Sequence, residues 1–303
     1  MTELAILYEH PAWFAPLFAA LDRRGLDYVA ISLGDHSFDP AASPPPAPVI
    51  FNRVAMSSFL REPEHPLFYT MALLDHWRGQ GATILNGPEV MAVDSSKARQ
   101  LSLLHRLGLA TPRTHIVHRA ADLAAAAGAV GYPLLVKANI GGSGAGIMRF
   151  DSAAELAAVV AAGDQPQSVD QVLLVQEAIP ARDGLIWRLE TLGGKFLYAI
   201  TVEGAGQFDL CPADACGDDR GPIPMRAFDP PSDIVAAAER IAAAMGMDVG
   251  GVEVMIDNRD GAPRFYDINA LSNFVARPVD VLGWDPHDRL VDWLETRIAE
   301  ARA

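Results

Sequence analysis

Apolar and polar positions alternate between strand-like and helix-like stretches from the first residues onward. Residues 4–8 form a short apolar run that predicts a strand. Residues 13–24 carry helical spacing and stop at Gly25, suited to the left-handed turn after a helix. Strands are predicted at 28–31, 49–51 and 83–85, with a helix at 66–78. The proline-rich stretch 43–48 is excluded from both element types because proline fixes its backbone and removes donors. Strand–helix alternation at this spacing implies parallel pairing with helices on the sheet faces. Residues 1–93 are therefore expected to form one α/β unit.

The pattern then changes. A helix is predicted over 94–107, with Asp94 as its N-cap and Gly108 as its stop. Strands at 114–117, 134–137 and 147–150 alternate with helices at 120–127 and 152–162, giving an α+β segment over 94–175. The last segment, 176–303, has strands at 172–176 (at its boundary), 185–191 and 196–203, the latter two joined by the hairpin pair Gly193-Gly194. After the long connection 204–231 come a helix at 233–245, a hairpin of 251–257 with 264–269, and a final amphipathic helix from Pro286. A connection of that length is expected to be functional or mobile. No internal repeat is visible.

Composition narrows the function classes. Among 303 residues there are 24 Lys and Arg against 38 Asp and Glu, a formal charge of −14, and only three of the cations are lysines: Lys97, Lys137 and Lys195. Such a charge opposes nucleic acid or an anionic membrane as a general partner. No 18-residue apolar run is present, and residues 1–9 lack a basic region followed by a cleavage site, so a cytoplasmic protein is expected. Two cysteines, Cys211 and Cys216, are too few for a disulfide framework and are read as free thiols in the long connection.

Three features carry chemistry. The run Gly141-Gly142-Ser143-Gly144-Ala145-Gly146 fits neither the dinucleotide fingerprint nor the P-loop, yet its exposed backbone N–H groups suit it to covering phosphates. The alternative is a glycine hairpin with no ligand. Lys137 lies four residues upstream at the end of an apolar strand, beside that loop. Lys97, in the first turn of its helix, is a cation where the helix dipole disfavours one, which an anion would explain, although Asp94 alone could be its partner. In the last hairpin, Glu253, Met255 and Asp257 share one strand face, and Asp267 and Asn269 share a face of the partner strand, opposite to Tyr266, Ile268 and Ala270. Glu253, Asp267 and Asn269 together make a hard oxygen set suited to Mg²⁺ or Mn²⁺; a solvated polar face is the alternative.

These stretches, in this order, resemble the ATP-grasp carboxylate–amine ligases, and most closely their RimK-like glutamate-ligase branch. The matching segments are Asp94-Ser-Ser-Lys97 with Gly108 to Pro112, Tyr132 to Lys137 with the glycine loop, Val175 to Ile179, Arg188 with Gly193 to Lys195, and Gly251-Val-Glu253 with Asp267-Ile-Asn269. The resemblance covers about residues 86–274. It implies an ATP-grasp fold preceded by a pre-ATP-grasp α/β domain (1–93), a central or lid subdomain (94–175) and a C-terminal metal-binding and catalytic subdomain (176–303).

The resemblance also implies ATP and Mg²⁺, Lys97 and Lys137 on the phosphates, and Gly142, Ser143, Gly144 and Gly146 closing over them. Gln176 would lie on the nucleotide, and the backbone of Glu177, Ala178 and Ile179 would hold adenine. Glu253, Asp267 and Asn269 would bind metal, and Arg188 would be catalytic. Two departures stand out. Ile186 replaces an acidic residue two positions before the arginine, leaving Asp183 as the ribose candidate, and residues 208–216 differ from the Arg/Asn-containing segment of the glutamate ligases. Asn52 and Arg53, at the end of the third strand where open α/β sheets bind ligands, are candidates for a substrate carboxylate. The expected activity is amide formation between a carboxylate and an amine (amino acid or peptide) through an acyl phosphate. A kinase-like or carboxylase-like relative and a non-catalytic ATP sensor are the alternatives. A homo-oligomer, dimer or tetramer, is expected.

Overall fold

The computed structural model describes residues 2–60, 66–142, 146–204 and 223–302. Ser143, Gly144 and both cysteines lie outside the described residues, as does most of the connection 204–231.

In the first unit, β1 (Leu4–Tyr8), α1 (Pro11–Arg24), β2 (Val29–Ser32), β3 (Val49–Arg53), α2 (Pro66–Gly79) and β4 (Thr83–Leu85) build a four-stranded parallel sheet in the order β2-β1-β3-β4. β1 and the first three residues of β3 are apolar because both of their faces are covered. The His10 side chain caps α1 by accepting from the Trp13 N–H at 3.3 Å, and Gly25 ends it with a φ of 66°.

The predicted helix over 94–107 is two helices, α3 (Pro88–Asp94) and α4 (Lys97–Arg106). Asp94 therefore ends one helix and does not cap the next. The cap of α4 is Ser96, whose Oγ accepts from the Arg99 N–H at 3.3 Å. Lys97 sits at the first helical position, and α4 packs through Leu101, Leu103 and Leu104 onto the third sheet.

The second sheet contains β5 (Thr114–Val117), β6 (Leu134–Ala138), β7 (Ile147–Phe150) and β8 (Leu173–Glu177), all antiparallel in the order β5-β8-β6-β7. Helices α5 (Leu123–Val130) and α6 (Ala153–Ala162) cover one face, meeting Leu134, Val136 and Val175. The two-residue period then sends Leu135, Lys137 and Gln176 to the opposite face.

The third sheet, β11-β10-β9-β12-β13, contains β9 (Leu185–Leu192), β10 (Lys195–Glu203), β11 (Met225–Ala227), β12 (Val249–Ile256) and β13 (Pro263–Asn269). β11 is a strand inside the stretch expected to be a loop. Helix α7 (Ser232–Met245) and α4 cover the face made by Leu189, Val252, Val254 and Ile268. The opposite face carries Arg188, Glu190 and Glu253, and its apolar part shares a core with the first unit through Leu290, Val291 and Leu294 of α9 (Pro286–Ala301). A short α8 (Pro278–Leu282) precedes α9. None of the helices among the described residues is long and apolar enough to cross a membrane.

Candidate active site

The free faces of the second and third sheets, with Trp13 of α1 and the 55–57 segment after β3, enclose a cavity of about 450 Å³. Its centre is charged. Lys97 Nζ donates to Asp267 Oδ1, and Lys137 Nζ donates to Gln176 Oε1 at 2.6 Å. Arg188 donates through Nε to Glu190 Oε1 (2.6 Å), through Nη1 to Glu253 Oε1 (3.0 Å) and through Nη2 to Ser272 Oγ (3.3 Å). Asn269 Nδ2 lies 3.4 Å from Glu253 Oε1 and 3.5 Å from Asp267 Oδ2. Glu253 and Asp267 are paired across β12 and β13, which is what brings the three oxygen donors together.

Burial shifts these groups in opposed directions. It lifts the Asp94 carboxyl to about 7, helped by the nearby Asp267 charge. Burial also raises Glu253, against the pull of Arg188. The Lys137 ammonium falls to about 8 through burial and the repulsion of Lys97. For Lys97 burial works the same way, but the charge and hydrogen bond of Asp267 outweigh it and hold the ammonium above its ordinary range. In a cleft of this kind a ligand's charge decides which groups stay ionised.

Tyr266 belongs to the site although strict alternation places it on the other face. The register slips between Glu253 and Val254, leaving one extra residue on β13. That bulge turns Tyr266 into the cavity, where its hydroxyl donates to Glu253 Oε2 at 2.7 Å. The same hairpin departs from expectation at Asp257, which is fully buried and tied to Arg259 (2.6 Å) and Arg264 (3.5 Å), away from the oxygen set.

At the other candidate positions the outcome is mixed. Gly142 lines the cavity and must be glycine for close packing, since a Cβ there would sit 2.6 Å from Ser57 Cβ. Gly146 has a φ of 71° and packs on Ala138 without reaching the cavity wall. Gln176, Glu177, Ala178 and Ile179 all line it. The Glu177 N–H already donates to Arg113 O (2.9 Å) and the Ala178 N–H to Pro133 O (3.1 Å), so these two backbone amides are occupied within the chain. The Glu177 carboxylate accepts from the Arg113 N–H (2.8 Å) and from Arg259 (3.2 Å).

Asp183 is exposed in a turn with φ 56° and does not reach the cavity, which its neighbour Gly184 lines instead. Asn52 and Arg53 are also absent from the wall. The Asn52 amide is used on Asn86 O (3.1 Å) and the Val54 N–H (3.1 Å). Arg53, 2% exposed, packs over Phe51 and Phe14 and donates to Ser272 O and to Asn273 Oδ1 (3.1 Å). Its Nε and Nη1 have no partner, and burial lowers the guanidinium to about 9 against the pull of Glu190 and Asp94. The strand end that faces ligands in open α/β sheets is here covered by the 271–274 segment.

No family model matches the chain. Its relatives nevertheless agree with this geometry. The ribosomal protein bS6–L-glutamate ligase of Shigella boydii serotype 4 is 28% identical over 232 residues, covering 75% of this chain and 72% of that one. An ATP-grasp RimK domain protein from Sphaerobacter thermophilus superposes with a TM-score of 0.69 at 18% identity, covering 96% of this chain and 99% of that one. The fold is that of the ATP-grasp proteins, and in sequence the chain is similar to the RimK-like glutamate ligases. The ATP-grasp ligase PsnB, solved with a minimal precursor, Mg and ADP, shares the fold at a TM-score of 0.69 and 16% identity, over 98% of both chains. The ATP-grasp fold accounts for the two sheets facing each other across the cavity, with the 177–181 segment leading from one to the other.

Proposed function

We propose that this chain is an ATP- and Mg²⁺-dependent ligase that joins a carboxylate to an amine, an amino acid or small peptide among them, through an acyl phosphate, releasing ADP and phosphate. The observation that carries this is the convergence of Lys97, Lys137 and Arg188 with Glu253, Asp267 and Asn269 in one cavity beside a hinge. The oxygen set passes a chemical test for Mg²⁺. Among the described residues no group of three or more His, Cys, Asp or Glu is arranged for a metal. Two carboxylates and an amide nevertheless suit an ion that keeps several waters and takes phosphate oxygens as further ligands. Mn²⁺ would fit the same donors. When bound, the ion would offset negative charge on the phosphates.

The remaining work falls to the protein's own groups. Lys97 and Lys137 bind and orient the polyphosphate. Arg188 is held in place by Glu190 and Ser272, so its charge is fixed before the phosphoryl group transfers to the substrate carboxylate. Tyr266 keeps Glu253 oriented through its hydroxyl. Adenine is assigned to the hinge, where Ile179 is the amide that neither Arg113 nor Pro133 takes. For the ribose, the exposed Asp183 lies off the cavity wall, which leaves the Gly184 carbonyl; it accepts from the Gly204 N–H at 3.0 Å and keeps a second lone pair. Purified protein given ATP, Mg²⁺ and pairs of acids and amines should release phosphate only when both partners are present. Phosphate release that never depends on the amine would overturn amide ligation.

A further inference from the structure

The β12–β13 hairpin gives the cavity a direction. At its turn, Ala181 bridges Asp257 and the Asn258 N–H donates to Pro180 O at 2.9 Å, so this end adjoins the hinge. Beyond its open end, Asn273 accepts from Arg53 of the first unit at 3.1 Å. Glu253, Asp267 and Asn269 lie between the two. A nucleotide reaching from the hinge to the charged centre leaves the first-unit end for the other substrate.

That end is apolar. Trp13, Met56, Leu271 and Phe274 form its wall, with neutral Ser57 and Asn273 beside them. The rings are held from behind: Trp13 lies 4.9 Å from the His10 ring centroid, and Phe274 meets His287 at 5.3 Å and Tyr198 at 6.1 Å. Among the described residues each cation lining the cavity is already engaged, Lys97 with Asp267, Lys137 with Gln176, Arg188 with Glu190 and Glu253, and Arg149 with Asp151. A second carboxylate placed on this wall would lose hydration without gaining a partner, whereas an apolar side chain gains by burial.

Resting on the ligase activity proposed above, we infer that the substrate held at the first-unit end carries an apolar side chain, aromatic or branched aliphatic. Acidic amino acids are excluded by the same wall. In this the chain departs from the relatives named glutamate ligases, and Trp13 and Phe274 are the residues that set the difference.

Two measurements on the full-length chain test this. In the first, phenylalanine, leucine, glutamate and aspartate are offered, singly and in pairs, with ATP and Mg²⁺. Phenylalanine or leucine should exceed glutamate in kcat/KM by about a hundredfold or more. Equal or better use of glutamate overturns the inference. In the second, phenylalanine and glutamate are titrated into the protein with Mg²⁺ and a non-hydrolysable ATP analogue, reading tryptophan fluorescence with Trp13→Phe as the control. A saturable phenylalanine response that is lost in Trp13→Phe supports the inference even if no turnover is seen, and in that case only the ligase activity falls. Saturable glutamate binding, or no phenylalanine binding, overturns the inference whatever the turnover result.

Discussion

Two clusters of charge lie on opposite sides of the 177–181 segment and behave differently. Behind that segment, Arg259 grips Asp257 at 2.6 Å and Glu177 at 3.2 Å. The hydrogen bond from Arg259 holds Asp257 below the usual carboxylate range. For Glu177, burial is outweighed by the Arg113 N–H and by Arg259, which likewise hold it low. Every charge there has its opposite, and the arginine side chain is 47% exposed. In the cavity, burial drives Glu253 and Asp94 upward and Lys137 downward, each toward its neutral form. The first cluster is complete as it stands and fastens two sheets together. The second is tuned to the charge of a ligand.

Breaking the cavity cluster should cost most. Arg188→Ala is expected to lower kcat by about a hundredfold to a thousandfold, the scale for losing one preorganised charge donor. Binding of ATP should change far less, which steady-state kinetics beside equilibrium binding will separate. Lys137→Met should weaken ATP binding by about tenfold or more, the scale of one hydrogen bond to a charged group.

The pH dependence follows from the same shifts. Below pH of about 8 the Lys137 ammonium is charged and ready for phosphate, while above it binding must recapture a proton. Wild-type affinity for ATP should therefore fall as pH rises past about 8, and the profile of Lys137→Met should be flatter there. Asp94 acts on stability. Its folded value of about 7 lies above the ordinary 3.8, so its contribution is full below 3.8 and is lost as pH rises through 7. Asp94→Asn keeps an acceptor for the Ala270 N–H and should gain in melting temperature over wild type between pH 4 and 7, with a constant difference above pH 8.

The smallest effect belongs to the Arg259 cluster. Arg259→Ala removes a half-exposed arginine and leaves the buried Asp257 to Arg264, 3.5 Å away, and should raise KM for ATP by about threefold or less with kcat nearly unchanged. A loss of kcat as large as that of Arg188→Ala would erase the distinction between the clusters.

Much of this site was legible in the chain. Lys137 stands out because it follows the apolar run Leu134-Leu135-Val136, where an ammonium has no ordinary use without an anion to meet it. Glu253 and Asp267 follow from antiparallel pairing. Glu190 could have been found from its position two residues after Arg188 on one strand face. Tyr266 could not, because a bulge inverts the two-residue period and leaves no mark in composition. Asp94 was misplaced because Asp94, Ser95 and Ser96 are all competent helix caps, and only packing of α3 beside α4 selects Ser96. Arg53 sits where a ligand arginine would sit, and its burial depends on residues 272 and 273, more than two hundred positions away.

The most direct test of the central claim follows oxygen. With ATP, Mg²⁺, an accepted amine and a substrate whose carboxylate is labelled with ¹⁸O, attack of the carboxylate on the γ-phosphorus places one of its oxygens on the phosphoryl group. Amine attack at the carbonyl carbon then expels that oxygen with phosphate. One labelled oxygen per phosphate released, together with ADP, is the predicted result. Unlabelled phosphate, or AMP with pyrophosphate, would contradict it.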